Sequence, residues 1–124
     1  VSPIVPMTKT DVGFECVSIK DDKPFSYKLV SNHMKDKSKL VSAFHVISEK
    51  KLVNPTLELD YDIFVCGDDN ESVQVVNGLI DEIKGLRSIY LGPIELSYLA
   101  EMSTPLLLNA MIRNKIKNPG IKII

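Results

Sequence analysis

Strand-like and helix-like patterns alternate between residues 62 and 105, and this alternation constrains the fold more than any other feature of the chain. A buried-strand run at residues 63–66 is followed by an amphipathic helical pattern, a second strand run at 89–91 and a long apolar segment that begins at Ile94. Such an order is typical of α/β proteins, in which helices cover a sheet of parallel strands. We therefore predict a parallel α/β arrangement.

Local signals mark the ends of the first predicted helix. Asp68 stands three residues before Glu71, a spacing that predicts a capping box at the helix N-terminus. Gly85 is the residue expected to end the helix in a left-handed conformation. The buried face of the helix is expected to consist of one apolar stripe, formed by Val73, Val76, Leu79, Ile80 and Ile83.

Residues upstream of this region contribute further predicted strands. Residues 1–5 form a short apolar run closed by a proline, and residues 14–19 alternate weakly. Residues 40–47 form a nearly continuous apolar run, which is typical of a strand buried on both faces. A short helical segment is expected from Ser48 to Leu52. We expect three to four strands in the sheet.

A long apolar helix is predicted at the C-terminal side, over residues 94–113. It is apolar on most of its faces, so we expect it to be buried inside a core or against another subunit. Pro105 lies inside the helix and is expected to kink it, because proline removes a backbone hydrogen bond.

Composition excludes several classes of protein. The 124 residues suit a single domain, and a net charge of −1 with interspersed charges gives no nucleic-acid footprint. The longest nearly uncharged run, residues 102–112, is shorter than the roughly 20 residues of a membrane span. No signal peptide is visible, and Cys16 and Cys66 form no metal or redox motif. We predict a soluble, cytoplasmic protein.

The strand ends are the first place to look for a binding site. In open α/β sheets, ligands lie at the carboxyl ends of the strands, here residues 5–6, 45–48, 66–67 and 91–93. His45 is the sharpest candidate, because its ring can donate or accept a hydrogen bond near neutral pH. On the residues alone, a histidine satisfied by backbone groups is the better interpretation. Ile47 and Ser48 follow at a helix start, where free backbone N–H groups suit a carbonyl or anionic ligand edge.

Five further positions have competing structural interpretations. Cys66 is expected to be a small buried apolar residue rather than a nucleophile. Gly67 permits close approach by a ligand or merely by the following helix. Asp68 and its neighbour Asp69 are read as helix caps, and we predict no metal site. Thr104 either opens the helix beside Pro105 to a ligand or bonds the preceding helical turn.

The motifs above resemble the C-terminal half of the archaeal NADP reductases that use the deazaflavin coenzyme F420. The resemblance covers nearly the whole chain in order. It rests on Val41-Ser42-Ala43-Phe44-His45, Asp62-Ile63-Phe64-Val65-Cys66-Gly67-Asp68-Asp69, Gly85-Leu86-Arg87, Leu91-Gly92-Pro93, Thr104-Pro105-Leu106 and Asn118-Pro119-Gly120-Ile121-Lys122. The resemblance implies a Rossmann-like sheet and an enzyme that transfers a hydride between reduced coenzyme F420 and NADP.

The resemblance also implies how individual residues bind the cofactor. His45 would lie beside the deazaflavin, and the apolar tail would close over its ring. Because the cofactors carry hydride chemistry themselves, we predict binding residues and no catalytic ones. The predicted F420-binding residues are Val5, His45, Ile47, Ser48, Val65, Cys66, Gly67, Thr104, Pro119 and Gly120.

The resemblance further implies that residues 1–124 are only part of the enzyme. The glycine-rich half that binds NADP would precede Val1, so this chain alone is expected to be inactive. A homodimer through the helix at residues 94–112 is expected, as in related reductases. Two alternatives remain open: a non-catalytic α/β dimerisation module, and a Rossmann-like reductase acting on a small imine substrate.

Overall fold

The computed structural model describes residues 1–54, 56 and 58–124, with the side chain of Glu49 excepted. Its strands are β1 (Met7–Thr10), β2 (Gly13–Cys16), β3 (Val41–Ser42), β4 (Tyr61–Gly67) and β5 (Leu86–Gly92). Its α-helices are α1 (Val17–Lys20), α2 (Ser26–Ser31), α3 (Glu49–Leu52), α4 (Asn70–Asp81) and α5 (Ser97–Asn114). Single turns of 3-10 helix occupy Lys37–Lys39 and Ile94–Leu96.

The central sheet has the order β3-β4-β5 and is mixed rather than parallel. β4 and β5 are parallel, as predicted, but β3 runs antiparallel to β4, with Val41 opposite Gly67. A parallel neighbour needs a crossover that carries the chain back along the sheet. In the described residues between β3 and β4, the one helix is the four-residue α3, and this segment does not make that return. The α/β class is therefore confirmed, whereas a wholly parallel sheet is wrong.

The core lies between this sheet and α4. Ile63 and Val65 of β4 are fully buried, and they cluster with Val73, Val76 and Ile80 of α4. The predicted stripe is therefore confirmed except at Leu79, whose side chain is 53% exposed. Leu79 lies on the solvent side of α4, beyond the arc of the helix that faces the sheet.

Three upstream strands differ from their predictions. The predicted strand over residues 40–47 is limited to Val41–Ser42, because Phe44 adopts a left-handed conformation with φ of 68° that ends it. The predicted strand over residues 1–5 is a single parallel bridge between Ser2 and Ser42. The extended piece at 14–19 ends at Cys16 and continues as α1. It pairs with β1, which the sequence did not predict.

The long helix α5 buries a partly polar face. Its buried residues are Ser97, Ala100, Glu101 and Pro105. The Glu101 carboxyl accepts a hydrogen bond from the backbone N–H of Ser26 at 2.8 Å, and burial raises the pKa of Glu101. Leu106 is 63% exposed. The length and position of the helix are as predicted, but its apolar residues do not all face the core.

Both predicted ends of α4 are displaced: the helix ends at Asp81 with Glu82 as a right-handed C-cap, and Gly85 lies in the turn that follows. Gly85 has a φ of 89°, and an added Cβ would lie 1.8 Å from the carbonyl oxygen of Leu59, so a glycine is required there. At the other end the cap is Asp69, which accepts a hydrogen bond from the N–H of Ser72 at 2.9 Å. Asp68 instead accepts one from the N–H of Ile94 at 3.0 Å.

The C-terminal strap, residues 118–124, docks on β4. The backbone N–H of Asp62 donates to the carbonyl of Ile121 at 2.7 Å, and the Asp62 carboxylate accepts a hydrogen bond from the N–H of Ile123 at 2.6 Å. Arg87 makes a bidentate pair with that carboxylate, with both bonds at 2.8 Å, and also donates to the carbonyl of Ile123. The C-terminal residues of this apolar tail therefore pack against the sheet.

None of the helices in the described ranges is long and apolar enough to cross a membrane.

Candidate functional site

A cavity of about 730 Å³ opens between the 45–48 loop, α3, α5 and the strap. Five of the predicted binding residues line it: His45, Ile47, Ser48, Thr104 and Pro119. The other lining residues were not predicted as site residues, and they are Val46, Lys50, Lys51, Asn54, Leu107, Leu108, Met111, Lys117 and Asn118. The cavity thus joins the middle of the chain to its C-terminal end.

His45 lies in the wall of this cavity with its ring almost fully buried. The side chain is 5% exposed, and within the described residues neither ring nitrogen has a hydrogen-bond partner. Burial lowers the pKa of His45 to about 4, so the ring is neutral near pH 7. The interpretation of a histidine satisfied by backbone groups is therefore wrong. A buried polar group without a partner is costly, and a ligand could satisfy it.

The backbone around His45 is held from both sides. The left-handed Phe44 turns the chain away from β3 just before the histidine. The Thr104 hydroxyl donates to the carbonyl of His45, which ties the loop to α5. The Thr104 hydroxyl therefore does not bond the preceding helical turn. It bonds the 45–48 loop instead. One turn further along α5, Leu107, Leu108 and Met111 form an apolar wall of the cavity.

Lys51 lines the opposite side of the cavity and contacts the strap. Its Nζ donates to the carbonyl of Pro119 at 2.5 Å and lies 4.7 Å from the centroid of the Tyr61 ring. Burial lowers the pKa of Lys51. The Tyr61 hydroxyl donates to the carbonyl of Asn118 at 3.0 Å. Nothing in the sequence identified Lys51, since a lysine in a short polar helix is ordinarily solvated.

Gly120 lies beside the cavity and packs against Tyr61. A Cβ added at Gly120 would lie 2.0 Å from Cδ1 of the Tyr61 ring. Only glycine therefore lets the strap pass this ring at its observed distance. Gly120 itself does not line the cavity, whereas its neighbour Pro119 does.

Four predicted binding residues lie elsewhere. Val65 and Cys66 are fully buried on β4, and burial raises the pKa of the Cys66 thiol. A Cβ at Gly67 would lie 2.7 Å from the Val73 side chain, so Gly67 permits helix packing. An apolar strand pattern does not say which face of the strand meets a ligand. These three residues lie outside the cavity. Val5 is half-buried and does not line the cavity.

The direction of β3 explains why the predicted strand ends do not converge. The segment at Ser2 runs parallel to β3, so residues 5–6 and His45 leave the sheet at one end. β4 and β5 run the opposite way, so residues 66–67 and 92–93 leave it at the other end. The cavity therefore lies toward the amino end of β4, next to Tyr61.

The chemistry of the cavity suits a flat apolar ligand with a polar edge. Leucine and methionine side chains supply one wall, and the neutral ring of His45 supplies a hydrogen-bonding group. Lys50, Lys51 and Lys117 place positive charge around the cavity, which favours an anionic or carbonyl-bearing ligand. Within the described part of the chain, no cluster of three or more His, Cys, Asp or Glu residues could hold a metal ion.

Three curated relatives, all named F420-dependent NADP reductase, are similar to this chain. The relative from Methanocaldococcus jannaschii is 41% identical over 96 residues, which are 77% of this chain and 43% of that protein. The relatives from Methanothermobacter thermautotrophicus and Methanothermobacter marburgensis are 35% and 34% identical, over 69% of this chain and 37% and 38% of their own length. The chain thus spans less than half the length of the relatives it matches.

A solved structure shares the fold. It is described, provisionally, as an F420-dependent NADP reductase from Arthrobacter sp. FB24. The match has a TM-score of 0.78 at 18% identity and covers 97% of this chain and 55% of that one. No family model matches the chain.

Proposed function

We propose that this chain is the F420-binding part of an F420-dependent NADP reductase. The observation that carries the proposal is the cavity lined by the buried, neutral His45, by an apolar wall of α5 and by the strap, with no hydrogen-bond partner for the His45 ring among the described residues. The names of the methanogen relatives supply the identity of the ligand. In this proposal the enzyme transfers a hydride between reduced F420 and NADP.

The residues of the cavity fit a deazaflavin. When bound, F420 would supply the hydride chemistry, and the protein would bind, orient and exclude water. His45 would donate to or accept from a polar atom at the ring edge, satisfying its orphaned nitrogens. Leu107, Leu108 and Met111 would pack against the ring face, with Ile47, Ser48 and Pro119 at its border. Val5 leaves the sheet at the same end as His45 and remains a candidate contact.

The NADP site belongs, in this proposal, to another part of the enzyme. The chain spans less than half of its relatives' length, which leaves room for a separate dinucleotide-binding region. Residues 1–124 would then be the C-terminal part, folded as a single domain. We expect this chain alone to bind F420 without reducing NADP.

A fluorescence titration of coenzyme F420 into the purified chain tests the proposal. We expect saturable binding, and we expect His45→Leu to weaken it about tenfold, because a buried hydrogen bond is lost. His33→Leu is the matched control, since His33 is exposed and lies outside the cavity. Absence of saturable binding, or equal affinities of the two variants, would contradict the proposal.

A second candidate function, that of a dimerisation module, is favoured by one face of α5. Leu99, Met102 and Leu106 are exposed and spaced so that they share a face of the helix. We propose that two copies pair through residues 94–112, either within the reductase or as a module without catalytic activity. Leu106→Glu should then shift a dimer to a monomer in analytical ultracentrifugation. A dimer that binds no F420 would favour the module.

A further inference from the structure

Lys51 is a buried charged residue for which the described residues supply no charged partner. Lys51 is 8% exposed. The one described hydrogen bond of its ammonium group is to the carbonyl of Pro119. The ion pairs of the described residues do not include it. Burying an ammonium group opposite a carbonyl and an aromatic ring costs free energy that a carboxylate partner would offset. This cost calls for a functional explanation.

The strap is held from two sides of the cavity. On the β4 side, Tyr61 bonds Asn118 and packs on Gly120, and Asp62 bonds Ile121. On the α3 side, Lys51 donates a hydrogen bond to the carbonyl of Pro119 in the strap. Removing Lys51 would therefore leave the strap attached along one edge, with the cavity open beside Pro119.

We propose that Lys51 is a positioning residue that closes the strap over the cavity and presents its ammonium group to the polar edge of the bound ligand. An ammonium group has three N–H donors, and the described contacts use one of them. Because Lys51 also lines the cavity, the remaining donors can reach an oxygen of a ligand inside it. The identity of that ligand as F420 rests on the proposed function, whereas the strap contact does not.

The arrangement couples ligand binding to closure of the strap. A carbonyl or anionic oxygen beside the ammonium group would supply the partner that the buried charge lacks. Binding would thereby stabilise the closed strap, and the closed strap would hold Lys51 in place for the ligand. Such coupling is reciprocal: ligand binding favours the closed strap by the same factor by which the closed strap strengthens ligand binding. Loosening the strap must therefore weaken ligand binding.

Amide hydrogen exchange of the ligand-free chain tests the strap contact. In Lys51→Met we expect the Ile123 amide, which bonds Asp62, to exchange about tenfold faster than in the wild type. Lys51→Arg should restore slow exchange, because it keeps a charged donor. Lys50→Met is the matched control, since Lys50 is an exposed neighbour on α3. Equal exchange in the Lys51→Met and Lys50→Met variants would overturn the strap contact.

Titration with F420 tests the ligand contact separately. We expect Lys51→Met to raise the dissociation constant about tenfold and Lys51→Arg about twofold or less. Lys84→Met, at an exposed position outside the cavity, should change it little. A wild type that binds no F420 overturns the ligand contact together with the proposed function, while the exchange result still decides the strap contact. Protected amides in β4 and β5 report an intact fold. If Lys51→Met loses that protection, Lys51→Gln carries the same comparison.

Discussion

His45 and Lys51 lose hydration on folding and line the same cavity. His45 meets this cost by staying neutral, since burial lowers its pKa to about 4. The ammonium group of Lys51 donates a hydrogen bond to the carbonyl of Pro119 and lies over the ring of Tyr61. In neither case do the described residues supply hydrogen bonds for all the polar atoms that lost water. Groups left in this state are candidates for ligand binding.

The burial of His45 makes the stability of the chain depend on pH. The folded pKa of about 4 lies below the ordinary value of 6.5, so the unfolded state takes up a proton first as the pH falls. The free energy of unfolding should therefore drop by about 2 kcal/mol between pH 7 and pH 5 through this residue. Urea unfolding at both pH values should show a smaller drop for His45→Leu. Equal drops in the free energy of unfolding of the wild type and His45→Leu would contradict the lowered pKa of His45.

Some site residues could be predicted from the sequence, for physical reasons that differ. His45 stands where an apolar run ends, and Pro119 stands in a tail too apolar to be free, so both carry a local signal. Lys51 carries none, because its burial results from contacts with Tyr61 and Pro119 that are distant in the chain. Val65 and Cys66 were predicted at the site, but the apolar pattern reflected the core.

At the scale of elements, the direction of β3 decides where the cavity lies. β4, α4 and β5 were predicted in place because their patterns are local and periodic. Strand direction is set by pairing between distant segments, and the apolar run at 40–47 holds no information about it. The left-handed turn at Phe44 shortened this strand further. Local signals thus defined the elements well and the sheet direction poorly.

The N-cap of α4 is a prediction at the same scale. Asp69 accepts a hydrogen bond from the N–H of Ser72, and its negative charge lies where the helix dipole favours it. Asp69→Ala should therefore lower the melting temperature by about 5 °C, measured by circular dichroism. Gln74→Ala, at an exposed position of α4, is the control and should change it little. A drop of the same size in both variants would argue against the cap.

For the whole molecule, Asp62 is a residue that joins three separate segments, β4, β5 and the strap. Its buried carboxylate binds Arg87 of β5 and the N–H of Ile123 in the strap. The hydrogen bond from Arg87 holds the pKa of Asp62 below its ordinary value. The resulting stabilisation is present at neutral pH and is lost as the pH falls through the folded pKa.

Replacing this carboxylate should destabilise the whole molecule. Asp62→Asn cannot accept the bidentate pair, so we expect the free energy of unfolding at pH 7 to fall by about 2 kcal/mol. Asp60→Asn is the control, because Asp60 forms an exposed ion pair with Lys122. That variant should unfold as the wild type does. The difference between the two variants should shrink in acid, and a difference that persists there would rule out the ionised pair.

The described hydrogen bonds between the strap and the rest of the molecule go to β4, β5 and α3, and none of them goes to α5, the helix that the strap follows. The strap can therefore be regarded as a peptide that is bound by residues 1–117. A chain shortened to residues 1–117 should bind a synthetic peptide of residues 118–124, which would reconstitute the cavity from two pieces. Chemical groups that ribosomal synthesis does not supply could then be placed beside the ligand by changing the peptide alone.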